Sequence, residues 1–285
     1  MSVRPDRNLD TWNQIDVASY YASLSYLTPC EQLLFDEYLG PGMAILDLGV
    51  GGGRTTSYLS SIASRYVGAD YAAEMIAACQ KRFPHLEFKT VDAADLSMFP
   101  TATFDAVVMA FNTIDNVIPE EARHRALREI HRVLKPNGVL IFSSHNIRSI
   151  FARPAWKSAR LASLARHLAG DGSAWYRPLL GALTAARVPL AVYRAVVQSI
   201  GRIARRCTTP GFWRGEGYLT DSSHGGTTIH FGTPDKVEEE LVQFGFRLQR
   251  YLGDDYPRVS RILVTGWYYY VSSRVETAGL KVICK

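Results

Sequence analysis

The sequence predicts an α/β fold, a doubly wound, mostly parallel sheet with helices between its strands. Three observations carry this expectation. Short apolar runs recur at 44–49, 65–70, 86–92, 104–111 and 139–142, with amphipathic stretches between them. Runs such as Ala106-Val107-Val108-Met109-Ala110 are unbroken, which suits strands covered on both faces. The first run ends in a cluster of glycines, where such a fold places its ligand.

Taken in order, Leu24 to Leu39 reads as a helix stopped by Gly40-Pro41-Gly42. Ala44 to Gly49 is a buried strand, and Thr55 to Ser64 the helix that follows. Arg65 to Asp70 is a second strand, Ala72 to Phe83 a second helix, and Leu86 to Asp92 a third strand. Phe104 to Phe111 is the fourth strand. Pro119-Glu120-Glu121 opens the next helix, since proline fits a first turn and acids there favour the dipole. Lys135-Pro136-Asn137-Gly138 stops it, and Val139 to Phe142 is the fifth strand. The rhythm breaks after Ile147 and resumes at Thr233-Pro234-Asp235, the start of a helix reaching Gly245. Phe246 to Leu252 and Leu263 to Val271 read as two further strands, paired with each other.

The chain has 285 residues, 47% of them hydrophobic, enough to bury a substantial core. Met1 to Asp16 lacks the apolar region of a signal peptide, and no apolar run is long enough to span a membrane, so a cytoplasmic protein is expected. Cys30, Cys79, Cys207 and Cys284 lie far apart in sequence and suggest reduced thiols, with no metal centre. The net charge is +5, unevenly placed. Residues 147–206 hold eleven Lys or Arg and one acid, Asp171, while the remainder of the chain is net −5. That distribution argues against a nucleic-acid binder.

Asp47-Leu48-Gly49-Val50-Gly51-Gly52-Gly53 is the sharpest motif. A dinucleotide fold wants G-x-G-x-x-G, whose third glycine falls here on Arg54. The spacing found is D-x-G-x-G-x-G. An acid before the first glycine suits a ligand with a cationic amine, as S-adenosylmethionine has, and disfavours a pyrophosphate. Gly49, Gly51 and Gly53 let the backbone pass close beneath such a ligand. Asp70 ends the second strand, where a carboxylate accepts ribose hydroxyls, and Tyr71 beside it is a further contact candidate.

Five motifs in order resemble the class I S-adenosylmethionine-dependent methyltransferases of the small-molecule type. They are Ile45 to Thr56, Val67 to Asp70, Val91 to Leu96, Phe104 to Val108 and Leu134 to Gly138. The resemblance covers Leu24 to Asn146 and, more loosely, Thr233 to Arg274. It implies a Rossmann-like seven-stranded sheet with the last strand antiparallel, and S-adenosylmethionine as methyl donor. It also implies that Asp92 bonds the adenine amine with Ala93 beside it, and that Met75 either packs on the adenine or fills the core. Val91 departs from the glycine the family often has there. The fourth strand runs into Phe111-Asn112-Thr113, without the Pro-Pro-aromatic run of family members that methylate base amines.

Methyl transfer needs positioning and, for a hydroxyl acceptor, a base. Asn112 sits where donor and acceptor should meet and is a donor-contact candidate. His145, at the end of the fifth strand, and His224, ahead of Gly225-Gly226, are the candidate bases. His230 reads as a strand residue, and His85, His124, His131 and His167 as surface positions. Residues 1–146 and 212–285 form the expected methyltransferase core, and 147–211 a basic helical cap inserted between strands five and six. Arg153, Lys157 and Arg160 share one helical stripe of the cap, and Arg187, Arg194, Arg202 and Arg205 another. A solvated face, an anionic acceptor and an anionic membrane surface are its three readings. The expected function is methylation of a small molecule, on an oxygen of a sugar or of a lipid-linked glycan or metabolite. Methylation of an amine, or donor binding without catalysis, are the alternatives.

Overall fold

The computed structural model describes residues 7–149, 201, 204, 207–221 and 226–276. Two short helices, α1 (Arg7–Trp12) and α2 (Ile15–Ala22), open the chain, and the sequence reading had not anticipated them. Helix α3 runs Pro29–Tyr38, so the helix expected from Leu24 begins five residues later. Thr28 is the reason. Its hydroxyl accepts from the Glu31 N–H at 3.2 Å while Glu31 Oε2 accepts from the Thr28 N–H at 2.8 Å, a capping box followed by proline. A residue before proline is also biased away from helical backbone.

The alternation then follows as expected: β1 (Ala44–Leu48), α4 (Thr56–Ile62), β2 (Arg65–Asp70), α5 (Ala73–Arg82), β3 (Glu87–Thr90) and β4 (Phe104–Met109). A 3₁₀ turn at Thr113–Asn116 precedes α6 (Glu120–Val133). Strand β5 (Leu134–His145) starts at once after α6. Lys135-Pro136-Asn137-Gly138 therefore ends the helix but lies within the strand, with Asn137 in left-handed backbone and a register shift opposite Phe104 and Ala106. A hairpin follows, β6 (Glu216–Asp221) and β7 (Thr227–Gly232), then α7 (Pro234–Gln243), β8 (Phe246–Gly253) and β9 (Trp267–Arg274). The last strand starts at Trp267 and not at Leu263, because the Val264 and Thr265 N–H groups close a turn on the Arg261 carbonyl at 2.8 Å.

Seven strands form one sheet in the order β3-β2-β1-β4-β5-β9-β8. The pairs from β3 to β5 are parallel, and β9 is antiparallel to both β5 and β8. The seven-stranded sheet with its antiparallel last strand is thus present. Period-two alternation splits the core into two layers. Leu46, Val67, Val107 and Leu140 face Leu127 and Ile130 of α6 and Val237 of α7. Ile45, Tyr66, Ala106 and Ile141 face Leu34 of α3, Leu59 of α4 and Ile76 of α5. Strand order reverses between β1 and β4, and a crevice opens there at the carboxyl ends.

Two ties lock the periphery to this crevice. The Asn8 amide donates to the Thr228 carbonyl at 2.8 Å and accepts from the Thr228 N–H at 3.0 Å, joining α1 to the hairpin. Arg54, just after the glycines, grips Glu31 of α3 at 2.5 and 2.7 Å, donates to the Tyr26 carbonyl and lies over the rings of Tyr26 and Phe111. The cap's basic stripes, Arg153 through Arg205, fall outside the described residues. No helix among the described residues is long and apolar enough to cross a membrane.

The Arg54–Glu31 pair is almost fully buried. Breaking such a pair strands the remaining charge, which typically costs about 3–5 kcal/mol. Glu31→Gln is expected to lower unfolding free energy by that amount in urea titrations. A loss under about 1 kcal/mol would contradict the pair's role in fixing α3 to the loop.

Candidate functional site

The chain leaves β1 at Leu48, turns through seven residues and enters α4 at Thr56. Gly49 (φ +75°) and Gly51 (φ +54°) adopt backbone that side chains disfavour. A Cβ on Gly49 would fall 2.0 Å from Thr113 Cγ2, and one on Gly52 2.2 Å from the Ala22 nitrogen. Gly51 differs: a Cβ there meets nothing within 4 Å, because it faces the open cavity. Gly53 stands behind the cavity wall, packed on Phe83 and Cys79.

The cavity is walled by the glycine loop, by Asp70, Tyr71 and Met75 after β2, by Asp92 and Ala93 after β3, and by Phe111, Thr113 and Asn116 after β4. Trp12 and Tyr21 from the two N-terminal helices close another side. The Asp70 carboxylate accepts from the Gly51 N–H at 2.9 Å and the Ala72 N–H at 3.0 Å. Burial pushes it above the usual carboxylate range, opposed by those backbone donors. The Asp92 carboxylate accepts from the Ala94 N–H at 2.8 Å, holding its turn against the cavity. Asn116 donates to the Asn112 carbonyl at 3.3 Å and keeps a buried amide oxygen with no partner.

Asp47 departs from the sequence expectation. It is buried beneath the loop, is not among the residues lining the cavity, and accepts from the Thr55 hydroxyl at 2.8 Å and the Tyr66 hydroxyl at 2.9 Å. Its carboxylate is committed to holding the loop, so a direct contact with a ligand's amine is not what this geometry offers. Burial pushes its pKa up to about 6, against the two hydroxyl donors.

A second group of polar residues lies beside the cavity. Phe111 and Asn112 both have positive φ, and this turn sends the Asn112 side chain away from the cavity lining. Its Nδ2 stands 3.2 Å from His145 Nε2. His145 Nδ1 is 2.8 Å from Asp115 Oδ2, which also accepts the His145 main-chain N–H at 2.7 Å. Ser144 donates to Asp115 Oδ1 at 2.6 Å. Arg123 spends its fork on Glu240 at 2.8 and 2.9 Å and approaches Asp115 to 3.5 Å. Burial alone would raise Asp115, but His145 first, then His230 and Arg123, outweigh it and hold the carboxyl well below its usual range.

His145 is therefore part of a dyad, and its partner Asp115 was not singled out in the sequence although it stands three residues from Asn112. Arg123, Glu240, Trp12, Tyr21, Thr113 and Asn116 were missed as well. Only Asp115 had a legible cue, an acid in the turn after the fourth strand. His224, the other candidate base, lies outside the described residues. His230 is a buried residue of β7, as expected of a strand position.

A family profile described as a methyltransferase domain matches residues 46–142. A demethylmenaquinone methyltransferase of Beutenbergia cavernae is 34% identical over 116 residues, 41% of this chain and 44% of that protein. One of Mycolicibacterium paratuberculosis is 36% identical over 106 residues, 36% of this chain and 42% of that protein. The chain matches less than half the length of these relatives. Among solved structures, an S-adenosylmethionine-dependent methyltransferase of Mesorhizobium loti superposes with a TM-score of 0.56 at 17% identity, covering 86% of this chain and 97% of that one. The 1,6-didemethyltoxoflavin-N1-methyltransferase of Burkholderia thailandensis, solved with 1,6-didemethyltoxoflavin and S-adenosylhomocysteine, gives 0.55 at 14% identity over 97% and 93%.

Asp47 gives a pH test of the loop. Its folded pKa of about 6 lies above the unfolded value of 3.8, so its stabilising contribution is complete below pH 4 and is lost as pH rises through 6. Asp47→Asn is expected to gain on the order of 3 kcal/mol relative to wild type between pH 4 and pH 8, read by denaturant unfolding. A difference that does not vary with pH would contradict the buried carboxylate.

Proposed function

We propose that this chain, whose residues 46–142 match a methyltransferase domain, is a class I S-adenosylmethionine-dependent enzyme that methylates a hydroxyl of a small molecule. Two observations favour the donor in the cavity: the open space in front of Gly51, and the unpartnered Asn116 oxygen on the same wall. S-adenosylmethionine, when bound, supplies a methyl carbon made electrophilic by its sulfonium. Gly49 and Gly51 pass beneath it, Asp70 accepts its ribose hydroxyls, and Asp92 and Ala93 meet the adenine. Tyr71 and Met75 pack on the ring system. Asp47 acts one step back, through Thr55 and the loop.

The observation that carries the choice of oxygen is the His145–Asp115 pair beside the cavity. His145 takes the hydroxyl proton, and Asn112 holds the imidazole from the other side. An amine acceptor attacks with its own lone pair once neutral and so depends less on such a pair than a hydroxyl does. The matched profile spans residues 46–142, which hold the cavity-lining residues after β1 to β4 but not His145. The demethylmenaquinone methyltransferases thus lend support to the donor wall and not to an acceptor. The excess of basic residues at 147–206 favours an acceptor with an anionic group, as in a sugar phosphate or a lipid-linked glycan.

Calorimetry with S-adenosylhomocysteine tests the donor site. Asp70→Ala is expected to weaken binding by about 1–3 kcal/mol, the usual cost of unpairing buried hydroxyls. Unchanged affinity would contradict the ribose assignment. With an acceptor in hand, His145→Ala is expected to lower turnover by roughly 10²–10⁴-fold while donor affinity stays as it was. Near-normal turnover would move the reading to an amine acceptor.

A further inference from the structure

The geometry points to Asp115 as the positioning residue of this site: it holds His145 in the tautomer with the proton on Nδ1, leaving Nε2 to receive a proton. This rests on His145 being the base. Asp115 is fully buried, and its oxygens accept three hydrogen bonds, two of them from His145 itself. An ionised carboxylate can only accept, so the nitrogen facing it at 2.8 Å must carry the proton. Nε2 is then the unprotonated nitrogen, and the Asn112 amide 3.2 Å away donates to it.

The groups around the pair keep Asp115 ionised without occupying it. Arg123 of α6 faces it at 3.5 Å, but that guanidinium is held by Glu240 of α7 and by the Ile114 carbonyl. His230 of β7 stands at 3.8 Å, Tyr218 of β6 stacks edge-on against His230, and the buried Tyr270 of β9 closes the group. With neutral imidazoles, two carboxylates oppose one guanidinium. The cluster therefore carries one negative charge that an imidazolium at His145 neutralises. A hydroxyl proton that moves to Nε2 displaces the Asn112 N–H from that nitrogen's single lone pair; the O–H electron pair stays on oxygen, and the imidazolium later releases the proton to solvent.

The test is a long-range proton–nitrogen spectrum of the ¹⁵N-labelled full chain above pH 8, with His145 identified by the signals lost in His145→Gln. The expected wild-type pattern has a protonated Nδ1 and an unprotonated Nε2. Asp115→Ala should shift His145 toward the Nε2–H form. Asp115→Asn should retain the wild-type tautomer, because its oxygen can keep both His145 donors. Affinity for S-adenosylhomocysteine should stay within about twofold in both variants. A wild-type Nε2–H tautomer overturns the proposal even where Asp115→Ala fails to fold, and so does an unshifted tautomer in a folded Asp115→Ala. If the tautomers behave as expected while His145→Ala keeps its turnover, it is the base assignment that fails and not the positioning.

Discussion

The backbone at Gly49 and Gly52 has to be bare, and the site is arranged around that constraint. The turn after β4 lies against Gly49, through Thr113, and the end of α2 lies against Gly52, through Tyr21 and Ala22. Neither approach survives a Cβ. What results is a cavity enclosed by pieces that are distant in sequence: the N-terminal helices, the glycine loop and the turn after β4. Arg54 extends the same logic, since its position directly after the glycines lets it reach Glu31 and stack on Phe111. The loop thus serves as the place where α2, α3 and the β4 turn are fastened to the sheet.

Two buried aspartates show how the same side chain serves opposite ends. Asp47 receives only neutral hydroxyl donors, so desolvation wins and its pKa rises. Asp115 faces an imidazole, an N–H, a hydroxyl and a nearby guanidinium, so its charge is sustained despite complete burial. The first suits a residue that holds a loop by hydrogen bonds. The second suits a residue that stays anionic against the imidazole of His145. Both sit on turns or strand ends at the carboxyl edge of the sheet, where chemistry concentrates in this fold.

Most of the sheet was legible in the sequence, because strands buried on both faces write unbroken apolar runs such as Ala106–Ala110. Asp70 and Tyr71 are on the cavity wall as the spacing from the glycines to the end of β2 led one to expect, and Asp92 and Ala93 as the family resemblance implied. The failures have physical causes. Leu24 and Leu27 share the spacing of a helical face with the apolar residues that follow, but the capping box at Thr28 starts the helix later. The N-terminal helices bury little on their own and are held by tertiary contacts such as Asn8 to the hairpin, so their sequence reads as a polar leader. Asp47 was read as a ligand contact because its distance to the glycines is right. Its direction is set by Thr55 and Tyr66, and those partners appear only once β1 and β2 are paired. Asp115 escaped notice because its role depends on the side chain of His145, thirty residues away in sequence.

The central claim is that the space in front of Gly51 belongs to the methyl donor. Gly51→Ala puts a methyl group into that space without touching any protein atom, at a backbone cost of about 1–2 kcal/mol for a left-handed alanine. Titration calorimetry of this variant with S-adenosylhomocysteine, alongside its thermal unfolding, separates the two effects. The account predicts a folded protein with a modestly lowered melting temperature and at least tenfold weaker binding. A folded Gly51→Ala that binds S-adenosylhomocysteine as tightly as wild type would contradict it.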